Sequence, residues 1–264
     1  VVQRQNGDLL FISAENHSYL NIYKIDAKRT SLLKTTSIYC DLENGIVPRI
    51  VSRNYQDNLY ILDPTTKKSI YFFTGLKEAG TFAASRVVWD FLVDGTMLYY
   101  INDTAVFRID LSDDGREELF HESSQELLSL CAFDGILHFC SMNDEADALD
   151  LHELRMDDRS HSVKAIAWPF NPDRRVGVFP SAMTAKGMYL SPFGSLYAIR
   201  NDDFKWRFWG ESQDSMESIH DIALGNNGST LFLCSYECNL FPVIGENHIT
   251  EYCTELDCLV GRIF

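Results

Sequence analysis

The chain reads as an all-β fold of repeated four-stranded antiparallel units. Three observations predict it: turn dipeptides recur at similar intervals, each precedes an aromatic-rich apolar run, and no window sustains the spacing of an amphipathic helix. The turns come before the runs they start, in chain order. Asn6-Gly7 precedes Leu9 to Ile12, Gln56-Asp57 precedes Leu59 to Leu62, and Asp94-Gly95 precedes Met97 to Tyr100. Asp134-Gly135 precedes Ile136 to Phe139, Lys186-Gly187 precedes Met188 to Leu190, and Asn227-Gly228 precedes Thr230 to Leu233. Asn-Gly and Asp-Gly take the positive φ angles of tight hairpins at little cost, so each marks a strand reversal.

Each interval holds four strand-like runs. In the third they are Val87 to Val93, Met97 to Ile101, Ala105 to Leu111 and Glu117 to Phe120; in the fourth, Leu127 to Phe133, Ile136 to Ser141, Leu149 to Met156 and Val163 to Trp168. The mean interval is about 44 residues, the length of one blade of a radial repeat. A lone four-stranded sheet leaves both apolar faces wet, whereas sheets arranged about an axis cover one another. The rhythm therefore predicts a six-bladed β-propeller forming a single domain over residues 1–264, with a seven-bladed or incomplete ring as the alternative. Leu259 to Phe264 either closes the ring beside Val1 to Gln5 or begins a further blade. The chain resembles β-propellers of WD40-like type in strand rhythm along nearly all its length. Gly-His and Trp-Asp signatures are missing, since Trp89-Asp90 falls on an inner strand, so the resemblance implies a fold and no particular family's function.

The 264 residues carry 38 acidic and 23 basic side chains, a formal charge of −15. Such a charge repels phosphate backbones and anionic lipid, so direct nucleic-acid and membrane binding are not expected, and basic protein partners are. No apolar stretch reaches the ~18 residues of a membrane helix. Seven cysteines, at 40, 131, 140, 234, 238, 253 and 258, are odd in number and irregularly spaced. Cys131, Cys140, Cys234 and Cys253 sit in apolar runs and read as reduced core residues, which favours a cytoplasmic or nuclear location. Cys234, Cys238, Cys253 and Cys258, with His248 between, do not match zinc-knuckle spacing, and no metal or cofactor is expected. The sequons at Asn16, Asn102 and Asn227 point the other way, towards a secreted or lumenal propeller.

No nucleophile elbow, phosphate loop, dinucleotide loop or zincin motif occurs. Asp90, His220 and Asp221, on expected inner strands, are the candidates for a central-channel site of an enzyme or glycan binder. Polar inner-strand residues more often bond neighbouring blades, and the chain is expected not to be an enzyme. The alternation Lys205-Trp206-Arg207-Phe208-Trp209 reads as an outer strand with Trp206 and Phe208 on one face, not as a nucleic-acid platform.

Charge gives the functional expectation. Loops joining second to third strands share one end of a propeller with the connections between blades. On this assignment that end is strongly acidic and the other only weakly so. The expectation is a non-catalytic protein-interaction scaffold whose acidic end steers a basic partner segment. Asp144, Glu145, Asp147, Glu211, Asp214 and Glu217 supply charge, and Phe170, Phe193 and Tyr236, with Trp168 beside them, supply apolar anchors.

Overall fold

The structure, a computed structural model, describes residues 2–3, 8–15, 19–25, 32–39, 51–55, 58–74, 77–112, 115–143, 145, 147–170, 176–192, 196–202, 204–208, 219–224, 230–235 and 240–244. These residues form strands and turns, with no helix among them. Contacts divide the chain into two compact units, Val1–Ala84 with His220–Phe264, and Ser85–Ile219.

The first unit holds three antiparallel sheets. One runs β1 (Val2–Gln3), β2 (Leu9–Glu15), β3 (Tyr19–Ile25), β4 (Leu32–Tyr39), each beside the next. The second runs β5 (Ser52–Tyr55), β6 (Asn58–Leu62), β7 (Ser69–Thr74), β8 (Lys77–Ala83). Period-two alternation turns Leu10, Ile12, Leu20 and Ile22 of one sheet against Leu59, Ile61 and Phe73 of the other.

The second unit begins with β9 (Asp90–Asp94), β10 (Met97–Asn102), β11 (Ala105–Asp110) and β12 (Glu117–Glu122). Next come β13 (Leu127–Phe133), β14 (Ile136–Met142), β15 (Ala148–Arg155) and β16 (His161–Ala167). Then follow β17 (Ser181–Thr184), β18 (Gly187–Leu190), β19 (Tyr197–Arg200) and β20 (Trp206–Phe208). Each group of four is one antiparallel sheet in sequence order. In the first unit β21 (Ile219–Leu224), β22 (Thr230–Ser235) and β23 (Leu240–Ile244) make a three-stranded sheet among the described residues.

The turn chemistry appears where the sequence puts it. Gly95 and Gly135 sit at φ 61° and 74°. Gly187, at φ 152°, lies so close to β19 that a Cβ would come within 2.2 Å of the Ile199 carbonyl oxygen, which no other residue can accept. Asn6-Gly7, Gln56-Asp57 and Asn227-Gly228 lie outside the described residues.

In the sheet β13–β16 the first three strands are buried on both faces. One packs Leu130, Leu137, Phe139 and Leu154 against Leu92, Tyr99, Ile101, Val106 and Phe120 of the preceding sheet. The other sets Leu128, Cys140, Leu149, Leu151 and Ile166 against Met183, Met188, Leu190 and Ile199 of the following one. Cys131 and Cys140 are buried and neither forms a disulfide, as expected of core cysteines; burial pushes the Cys140 thiol up to about 12.

Candidate functional site

Backbone hydrogen bonds sort the loops of the second unit. At one end, Leu127 N–H donates to the Asp103 carbonyl (2.6 Å), Ser123 N–H to Thr104 (2.8 Å), and Trp168 N–H to Asp147 (2.7 Å). The turns between second and third strands are thus joined to the connections between sheets. In the turn between β14 and β15, Asn143 Oδ1 accepts from the N–H groups of Asp147 and Ala148, both at 3.1 Å, and its amide donates to the Asp147 carboxylate at 2.6 Å. Such a turn holds the Asp147 carboxylate in place before anything binds.

Glu122, Glu126, Glu145 and Asp147 are exposed at this end, and none has a cationic partner among the described residues. Arg86, the basic side chain among the described residues of these connections, is laid over the Phe107 ring, 5.0 Å from its centroid. At the other end some acids are matched by arginines, while Asp94, Asp134 and Asp202 are exposed without an ion pair among the described residues. Arg155 holds Asp157 at 3.0 Å, and Arg108 and Arg159 both converge on Glu118, with both guanidiniums over Phe120.

Of the expected docking residues, Glu145 and Asp147 stand exposed on the acidic end, while Asp144, Glu211, Asp214, Glu217, Phe193 and Tyr236 lie outside the described residues. Phe170 is half-buried, edge-on to Trp168 at 4.8 Å and to Tyr197 at 4.9 Å, and Trp168 is buried in the core. Both therefore serve first as packing. Asp103 accepts the Trp89 indole N–H at 2.8 Å. In the first unit, Asp63 is buried and folds onto its own turn, accepting from Thr65 N–H at 2.9 Å and Thr66 Oγ1–H at 2.9 Å, so its charge is spent on structure.

The channel candidates gather less. Asp90 is fully enclosed and accepts the Phe91 N–H at 2.8 Å. The side chains of His220 and Asp221 are outside the described set, as are those of Trp206 and Phe208. Asn102, a sequon asparagine, donates its amide to the Val87 carbonyl at 2.8 Å, so the nitrogen that would carry sugar is tied into the fold. Asn16 and Asn227 lie outside the described residues.

Sequence reasoning missed a polar group on the face of β13–β16 that meets β9–β12. Ser141, His152 and His161 follow one another diagonally across β14, β15 and β16. Ser141 Oγ donates to Gln125 Oε1 at 2.9 Å and meets His152 Nε2 at 2.8 Å, while His152 Nδ1 meets His161 Nε2 at 3.0 Å. A hydroxyl has one proton, so Ser141 meets His152 as acceptor; His152 then carries hydrogen on Nε2 and accepts the His161 N–H at Nδ1. The order of groups is that of a nucleophile, a base and an orienter. Ser141, however, is 0 % exposed and its proton is committed to Gln125, so it offers no nucleophile to a substrate. His121 of β12 lies 4.3 Å from the His161 ring, yet no group of three or more ligand side chains among the described residues is placed to hold a metal. Burial pushes His152 down to about 4, helped by His161 and His121, and burial also lowers His121 and His161.

No known family and no curated protein matches the chain. Solved structures do. The Cps50 (Swd1) β-propeller domain of Myceliophthora thermophila aligns with a TM-score of 0.57 at 10% identity, over 95% of this chain and 82% of that one. The fold is a β-propeller. Regucalcin, a calcium-binding protein from Agrobacterium tumefaciens, aligns with a TM-score of 0.56 at 9% identity, over 77% of this chain and 74% of its own. A luciferin-regenerating enzyme aligns with a TM-score of 0.56 at 12% identity, over 77% and 75%. That last neighbour corrects the expectation that the chain is not an enzyme: the propeller it shares also carries catalysis, so missing linear motifs exclude nothing, because propeller sites assemble from scattered residues.

Proposed function

We propose that the chain is a six-bladed, single-domain β-propeller that works inside the cell as a protein-interaction scaffold, capturing a Lys/Arg-rich segment of a partner on its acidic end. The observation that carries this reading is the contrast in pairing. Glu122, Glu126, Glu145 and Asp147 are exposed without cationic partners among the described residues, whereas Asp157 and Glu118 at the other end are held by arginines. Unpaired carboxylates on hydrogen-bonded loops project a field outward and lose little mobility when a cation arrives. The sequence offers further acids at Asp144, Glu211, Asp214 and Glu217 and apolar anchors at Phe193 and Tyr236, all outside the described residues.

Binding of a labelled Lys/Arg-rich peptide, with a Glu-rich peptide of equal length as control, tests it. At low salt the variant E122Q/E126Q/E145Q/D147N should bind the basic peptide at least about tenfold more weakly than the wild type. Equal affinity of variant and wild type, or of the two peptides for the wild type, would overturn the reading.

A further inference from the structure

The seam between β9–β12 and β13–β16 changes character from its middle outward. Its middle is the apolar cluster around Phe139 and Leu130. Its outer part is a stack of imidazoles on Phe139: His152 lies 4.6 Å from that ring at 13°, and His161 lies 6.1 Å away at 7°. His121 closes the stack from β12, 5.5 Å from Phe139 and 4.3 Å from His161. The register between β11 and β12 shifts so that Val106 faces His121 while Phe107 faces Leu119. Phe120 is the extra residue of this bulge, which lets Phe120 and His121 both turn towards the next sheet.

We propose that this seam is a proton-operated latch, closed while its imidazoles share a single hydrogen between His152 and His161 and opened at its outer edge by acid. The bond at 3.0 Å needs one bare nitrogen and one N–H. One proton on the exposed His161 leaves it intact. A second, on His152, puts hydrogen on both facing nitrogens and sets two cations in adjacent rings 5.2 Å apart. The charged groups around the stack are Glu122 beside His121 on β12, Glu118 with Arg108 and Arg159 at Phe120, and Asp150 two residues before His152 on β15. Glu118 is already held by both arginines, and the imidazoles' basicity is set by burial and by one another. On the opposite face, Glu153 accepts from Ser162 and the Lys164 ammonium covers Phe204, so those charges turn away from the seam. Val163, opposite His152 in the register of β15 and β16 and half exposed, lies on the strand, β16, that lifts from β15 when the latch opens.

Amide hydrogen exchange on the intact chain, corrected for intrinsic rates, reads the opening directly, alongside NMR titration of the histidine rings. From pH 7 to pH 5, opening of the β16 amides bonded to β15 should increase at least about tenfold more than that of β14, with His152 and His161 titrating together below the ordinary histidine value of about 6.5. H161F keeps a ring against Phe139 without the shared hydrogen, and H152Q keeps a donor to Ser141 without the charge; each should flatten the pH dependence at β16. The latch is refuted if β16 and β14 open in parallel in the wild type, if the two histidines titrate independently near 6.5, or if both variants keep the wild-type pH dependence.

Discussion

The two ends of the second unit, built from the same strands, handle charge in opposite ways. Where second strands turn into third strands, Glu145 and Asp147 stand on a loop stiffened by Asn143 and have no cation beside them among the described residues. Where third strands turn into fourth strands, Arg155 folds onto Asp157, and Arg159 ties its loop to Glu118 of the neighbouring sheet at 2.8 Å. Glu118 and Asp157 at the second end tie strands and turns together through arginines; Glu145 and Asp147 at the first form no such tie among the described residues.

The comparison can be broken from several sides. The largest expected effect strikes the seam that carries both ends. Phe139 is fully buried between the imidazole stack and the apolar cluster, so F139A should destabilise the protein by about 3–5 kcal/mol in urea unfolding. A cost below about 1 kcal/mol would mean that the two sheets are not packed as described.

Acid comes next. His152 sits well below its unfolded value, so the unfolded chain takes up a proton that the folded chain refuses. The stabilisation is complete above about pH 6.5 and is lost as pH falls towards about 4, up to ~3 kcal/mol in all, less any exposure of the ring to solvent. Unfolding midpoints measured across this range, wild type against H152Q, isolate that share: the variant should lose less stability over the same interval.

Neutralising the paired end should cost less. E118Q releases two arginines that also cap Phe120, a partly exposed network for which about 1 kcal/mol is expected by thermal unfolding. Smallest of all is E122Q/E126Q/E145Q at the unpaired end, which should leave stability within about 0.5 kcal/mol while weakening the basic peptide's binding. If the paired and unpaired sets changed stability equally, the contrast between the ends would have no energetic content.

Much of the fold was legible because its signals are local. Gly95 and Gly135 mark hairpins whose strands begin at Met97 and Ile136, as the runs after them predicted. The outer strands were placed less well: β16 begins at His161 and not Val163, because an exposed edge strand has little apolar pattern to announce it. The histidine seam was illegible for a different reason. His121, His152 and His161 are distant in sequence and meet through the register of β14, β15 and β16 and the bulge at Phe120, none of which a linear pattern encodes. At the acidic end of the second unit, exposure of Glu145 and Asp147 followed from loop position, but the use of Asp103 as acceptor for the Trp89 indole did not, nor, in the first unit, did the folding of Asp63 onto its own turn, since Asx turns and indole contacts depend on local geometry.

Association rate against ionic strength tests the central claim most directly. With the Lys/Arg-rich peptide, an acidic end that steers its partner requires the rate to fall at least about tenfold between roughly 0.02 and 0.3 M salt, and E122Q/E126Q/E145Q/D147N to flatten that slope. A wild-type rate that hardly changes over this range, or a variant with the same slope, would contradict the account.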